Sequence, residues 1–126
     1  MIESASTAQL VEKPWGYELI WARTDRYAGK ILHIQKGHAL SYQYHRSKDE
    51  TVYVLSGQLE LEVADSDDGP HRLLSLKAGE GFRITPGLRH RITAIETCNV
   101  LEASTAELDD VVRIDDRYGR EGTSKP

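Results

Sequence analysis

The chain has 126 residues, a net charge of −4 and one cysteine. That length suits one domain with a sizeable core, and the negative balance leaves no global basic field to attract nucleic acid. Cys98 alone excludes an internal disulfide and a cysteine-based zinc site within one chain, in keeping with a reducing compartment.

In chain order, residues 1–11 are small, polar or charged and are expected to be flexible. The opening "MIESASTAQLVEKPWG" has no basic segment followed by an apolar run, so it does not read as a secretory signal. No apolar stretch approaches membrane-spanning length, so a cytoplasmic protein with no membrane partner is expected. Period-2 alternation then predicts strands over 17–23, 29–35, 39–45, 51–56, 58–64, 71–76, 81–85, 90–96 and 99–104. Turn signals separate them: "KG" at 36–37, "SG" at 56–57, "DSDDGP" at 65–70, "KAGEG" at 77–81 and "PG" at 86–87. "STAELDDVV" (104–112) predicts one short helical turn capped by Ser104 or Thr105, and 121–126 reads as a flexible tail. So many short strands indicate an all-β sandwich or barrel.

Alternation also sorts faces. Leu59, Leu61 and Val63 point inward, and Glu60 and Glu62 outward. Lys30 shares a face with Leu32 and Ile34; a buried lysine is costly, so a strand-end lysine that snorkels to solvent is the preferred reading. Trp15 reads as a packing anchor for the entering chain.

The stretch "SYQYHRSKDE" (41–50) holds Gln43 and His45, two apart and on one strand face, with Glu50 after a short turn. His90 opens a later strand after "TPGLR". Two imidazoles, a carboxylate and an amide oxygen would fill four positions on a zinc, manganese, iron, cobalt or nickel ion and leave room for water or substrate. Spacing alone favours unrelated surface histidines, and His33, His38 and His71 take that reading outright.

Motif spacing shifts the balance. Gly37, five residues, Gln43-Tyr44-His45, four residues, Glu50, six residues and Gly57 follow the first cupin motif, with Gln in place of its first His. Gly79 and Gly87-Leu88-Arg89-His90 resemble the start and end of the second motif. The chain therefore resembles the cupin superfamily. Over roughly residues 12–120 it more closely resembles the cupin domain that ends bifunctional mannose-6-phosphate isomerase/mannose-1-phosphate guanylyltransferases. "EKPWGYELIWA", "YAGKILHIQKGHALSYQYH" and "DDVVRIDDRYGR" carry that likeness. Lys48, Thr51 and Arg83 stand where those proteins usually have Arg, His and Tyr.

The resemblance implies a single-domain cupin, a double-stranded β-helix or jelly-roll barrel. It also implies a divalent ion, zinc first, on Gln43, His45, Glu50 and His90. The expected activity is aldose–ketose isomerisation of a phosphorylated sugar of the mannose-6-phosphate type, with the ion as Lewis acid. Lys30 and Lys48 are the candidate catalytic residues. Arg117 and Arg120 are the candidates for phosphate, against surface pairing with Asp115 or Asp116. No guanylyl transfer is implied, since a nucleotidyltransferase half does not fit in this length. Two other readings stand beside this one: a non-catalytic sugar- or metabolite-binding cupin, and a metal-dependent oxygenase, which would more often carry a third His at position 43. A homodimer is expected, with Tyr42, Tyr44 and Tyr53 on the face opposite the ligands, needing cover from a second layer.

Overall fold

The alternating pattern folds into ten antiparallel β-strands in the computed structural model, which describes residues 2–123. They are β1 (Gln9–Lys13), β2 (Gly16–Arg23), β3 (Tyr27–Ile34), β4 (Tyr42–Tyr44), β5 (Glu50–Ala64), β6 (Arg72–Lys77), β7 (Gly81–Ile84), β8 (Arg89–Thr105), β9 (Val112–Asp115) and β10 (Gly122–Thr123). No helix occurs among the described residues.

Two long strands organise everything else. The first half of β5 pairs with β7, and its second half pairs with β6. Along its whole length β5 also pairs with β8. The C-terminal half of β8 pairs with β3, followed by β2 and β1. Its N-terminal end pairs with β4, followed by β9 and β10. One sheet therefore runs β7-β5-β8-β3-β2-β1 and the other β6-β5-β8-β4-β9-β10, joined through the two shared strands. This is the expected all-β jelly-roll architecture, with an interior between two sheet faces.

The continuity of β5 and β8 differs from the expected four separate strands. The "SG" at 56–57 is not a turn: the β5–β8 register shifts around it, and Gly57 adopts φ +88°. A Cβ on Gly57 would lie 2.3 Å from the Thr97 carbonyl oxygen, so only glycine lets the strands stay paired through the bend. The helical turn expected over 104–112 is also absent. Ser104 and Thr105 end β8, and the Asp110 carboxylate is taken by the backbone amides of Arg46, Ser47 and Lys48. A segment pinned to a neighbouring loop in this way is not free to coil on itself.

Three strands escaped prediction. β1 takes in residues 9–11 of the segment expected to be flexible, and β9 and β10 lie in the C-terminal segment. Residues 124–126 of the expected tail lie outside the described residues.

The core between the sheets contains Ile34, Val52, Leu59, Leu61, Ile84, Ile92 and Val100, with Trp15 buried against it. Inward Leu59, Leu61 and Val63 agree with the alternation. Lys30 does not snorkel. β3 lies between β2 and β8, so Lys30 sits mid-sheet and faces inward, where its Nζ meets Glu18 Oε1 at 3.3 Å. On the outer face, the guanidinium of Arg89 lies 3.9 Å from the Tyr44 ring centre and that of Arg91 5.8 Å from the Tyr42 ring centre. The chain's own arginines thus supply cover for two of the three tyrosines, and Tyr53 stays exposed.

Candidate metal centre

The three ring and carboxylate donors come from strand ends that the two shared strands bring together. His45 follows β4, Glu50 opens β5, and His90 is the second residue of β8. The Gly87 amide donates to the His45 carbonyl at 2.7 Å and fixes the turn before His90 against the end of β4. All three side chains are buried, and one donor atom from each lies within 4.8 Å of the others. His45 Nε2 is 2.8 Å from Glu50 Oε1, and His90 Nε2 is 3.6 Å from the same oxygen. Gln43 pairs in register with His90 and lines the same cavity.

The hydrogen bonds decide how the rings face. His45 Nδ1 donates to the Asp110 carbonyl, and His90 Nδ1 donates to the Leu88 carbonyl at 2.9 Å. With Nδ1 of each ring taken by a main-chain carbonyl, Nε2 is the atom that each imidazole presents to Glu50. Burial pushes His90 down to about 4, so it is neutral at pH 7. Burial works against the Glu50 charge, but the His45 hydrogen bond, then Lys48, hold its carboxyl well below the usual range. A carboxylate and two imidazole Nε2 atoms converging in a buried site are the nitrogen and oxygen donors that a divalent cation takes. The donor set therefore fits a divalent metal, with the second-neighbour carbonyls that such histidines use.

A second layer of charge lies behind Glu50. Lys48 Nζ is 3.5 Å from Glu50 Oε2 and 3.2 Å from Glu102 Oε2. Burial, and then the negative charge of Glu50, push the Glu102 carboxyl up to about 7. Burial opposes the Lys48 charge, but Glu102 and Glu50 outweigh it and raise its pKa.

The cavity has a volume of about 320 Å³, within the range of small-molecule sites. Gln43, His45, Glu50, His90, Lys30, Lys48 and Arg120 all line it. Arg117 does not: it is exposed and donates to the Gly37 carbonyl at 3.0 Å. Arg120 is held by Asp116, the partner that spacing suggested, but the pair is buried and not on the surface. His33, His38 and His71 stay away from the cavity and bond to Asn99, Tyr118 and Glu62.

Four lining or supporting residues were not foreseen: Glu102, Asp110, Lys13 and Arg113. Glu102 shares a strand face with Val100 and Ser104, two residues to either side, so the face rule would have found it. Asp110 acts through its backbone carbonyl, which no side-chain pattern signals.

The family model described as "Cupin domain" matches residues 30–103, more than half of the chain. The chain belongs to the cupin family. This cupin is 34% identical over 116 residues to mannose-1-phosphate guanylyltransferase of Escherichia coli (strain K12). The alignment covers 87% of this chain but only 23% of that protein's length. Among solved structures, KdgF from Halomonas sp. superposes with a TM-score of 0.65 at 21% identity, covering 80% of this cupin and 88% of that chain. The S161A mutant of Bacillus subtilis oxalate decarboxylase OxdC gives a TM-score of 0.72 at 20% identity, covering 84% of this cupin and 30% of that chain. At such identities the two structures speak for the fold alone.

Proposed function

We propose that this cupin is a metal-dependent aldose–ketose isomerase acting on a phosphorylated sugar of the mannose-6-phosphate type. One observation carries the reading: the cavity places a second buried carboxyl, Glu102, beside the donor set without making it a donor. Isomerisation moves one proton between neighbouring carbons, and a carboxylate held in the cavity wall is the group for that work. The relatives' name concerns a phosphorylated hexose, which supports the substrate class.

His45, Glu50, His90 and Gln43 would hold the ion. When bound, it supplies Lewis-acid polarisation of the adjacent hydroxyl and carbonyl oxygens of the sugar. Zinc suits this donor set, as do manganese, iron, cobalt and nickel. Glu102 takes the proton from C2 of the aldose and returns it to C1 of the resulting enediol. The hydroxyl and carbonyl oxygens exchange a second proton, so the conversion is redox-neutral. Lys48 holds Glu102 in place at 3.2 Å and keeps its charge balanced in a dry wall. Trp15, Leu32, Val52 and Ile92 give the cavity an apolar floor beside these groups.

A coupled assay converting mannose-6-phosphate to fructose-6-phosphate tests the reading, with zinc, manganese, cobalt and iron supplied in turn. Turnover should fall by about a hundredfold or more in Glu102→Gln while bound metal stays stoichiometric. No turnover with any of the four metals would sink the isomerase, and sugar-phosphate binding without conversion would mark a non-catalytic binding protein.

A further inference from the structure

Four cationic side chains in the cavity wall lie within electrostatic reach of one another: Lys13 on β1, Lys30 on β3, Arg113 on β9 and Arg120 beyond it. Burial, and then the positive charge of the other three, lower the Lys13 pKa against the pull of Glu18, and burial and Arg120 lower that of Arg113 against Asp116 and Glu18. Two of the four have carboxylates of their own. Lys30 is paired with Glu18, and Arg120 grips Asp116 through Nε at 2.9 Å and Nη2 at 3.2 Å. Among the described residues, Lys13 and Arg113 have no carboxylate in hydrogen-bond contact. Arg113 Nη1 is moreover buried with no hydrogen-bond partner at all.

Like charges gathered in a wall repel, and a buried guanidinium N–H left unpaired costs free energy. Such a group in a folded protein needs an explanation, and a ligand that completes it is the simplest. Topology favours the same answer. β1 ends the first sheet and β9 lies next to the end of the second, so Lys13 and Arg113 reach the cavity from different sheets. An anion between them would join the two sheet margins across the cavity.

We propose that Lys13 and Arg113 form an oxyanion site for the phosphoryl group of the substrate, with the Arg113 guanidinium supplying hydrogen-bond donors and Lys13 a point charge. Asp116 holds Arg120 behind them, where it adds positive potential. A phosphoryl group carries more charge and more acceptor oxygens than a carboxylate, which matches two cations with donors to spare. The assignment moves phosphate recognition away from Arg117, which is outside the cavity. It rests on the isomerase reading only for the sugar attached to that group.

The test is calorimetric titration of inorganic phosphate into the chelator-treated full chain at fixed ionic strength. Chelation keeps phosphate from being read at the donor set. Saturable one-to-one binding is expected in the parent protein. Arg113→Gln and Lys13→Gln should each weaken it by about tenfold or more, and Arg113→Lys by less. Arg91→Gln, whose guanidinium bonds Asp115 outside the cavity, should leave it unchanged. Circular dichroism confirms that each variant is folded, and Arg113→Lys carries the test if Arg113→Gln is not. Absence of saturable binding, unchanged affinity in the Arg113 variants, or acetate binding as tightly as phosphate would overturn the proposal. Phosphate binding that follows this pattern in a protein without isomerase turnover would uphold the anion site and overturn only the isomerase reading.

Discussion

Lys48→Met is the sharpest probe of the buried charge around the site. Lys48, Glu50 and Glu102 have side chains 5%, 4% and 7% exposed, so water screens their interactions weakly. Removing the cation leaves two carboxyls in a dry wall with no positive partner at 3.2 and 3.5 Å. Breaking a buried pair by deleting one member costs about 3–5 kcal/mol, and the metal-free variant should lose that much stability at pH 8. The sign with pH follows from Glu102. Burial already raises its carboxyl to about 7, and Lys48 opposes that rise, so the variant's carboxyl climbs further. A carboxyl raised on folding costs nothing below its unfolded value of about 4.5, and its penalty grows as pH climbs toward the folded value. Urea unfolding of parent and variant between pH 5 and 8, with chelator present, reads the difference. Lys48→Met combined with Glu102→Leu should recover most of the loss at pH 8. A difference below about 1 kcal/mol, or one equal at pH 5 and pH 8, would refute the account of Lys48 as the counter-charge of this wall.

Three further outcomes are expected. His90→Ala and His45→Ala should each abolish stoichiometric zinc, read by elemental analysis of protein dialysed against buffered metal; retained zinc would remove that histidine from the donor set. Asp110→Ala deletes a carboxylate that accepts three backbone amides but keeps the carbonyl that orients His45. It should cost about 1–2 kcal/mol in urea unfolding while zinc stays stoichiometric. Gly57→Ala should cost more than about 2 kcal/mol by the same assay, because its Cβ would press on the Thr97 carbonyl at a positive φ; a near-neutral result would show that β5 bends without a glycine.

Legibility in the sequence tracked the physical origin of each feature. The strands with one apolar face were readable because burial imposes period 2, as at Leu59, Leu61 and Val63. The clustered donors were readable because His45, Glu50 and His90 sit at motif spacings around turn glycines. β9 was not, because it is only four residues long and its alternation is inverted, with Arg113 toward the cavity and Ile114 exposed. Lys30 was misplaced because the cost of burying an amine argued for solvent, and the sequence hides that Glu18 stands within 3.3 Å. The Gly57 dipeptide looked like a turn because glycine at positive φ serves turns and bulges alike. Glu102 and Lys48 show the limit most clearly: their pairing spans 54 positions and exists only once β8 crosses β5.

The two imidazoles are steered by main-chain carbonyls, those of Asp110 and Leu88, and not by side chains. A carbonyl survives any substitution at its own position. The orientation of both rings is thus written into the path of the chain, while the residues that bound the rest of the cavity stand on other strands. Replacing Glu102, Lys13 or Arg113 changes the cavity lining without touching the groups that aim the rings. Such an arrangement lets mutation vary the wall one residue at a time around a fixed pair of rings, and each step can be tried without first rebuilding the centre.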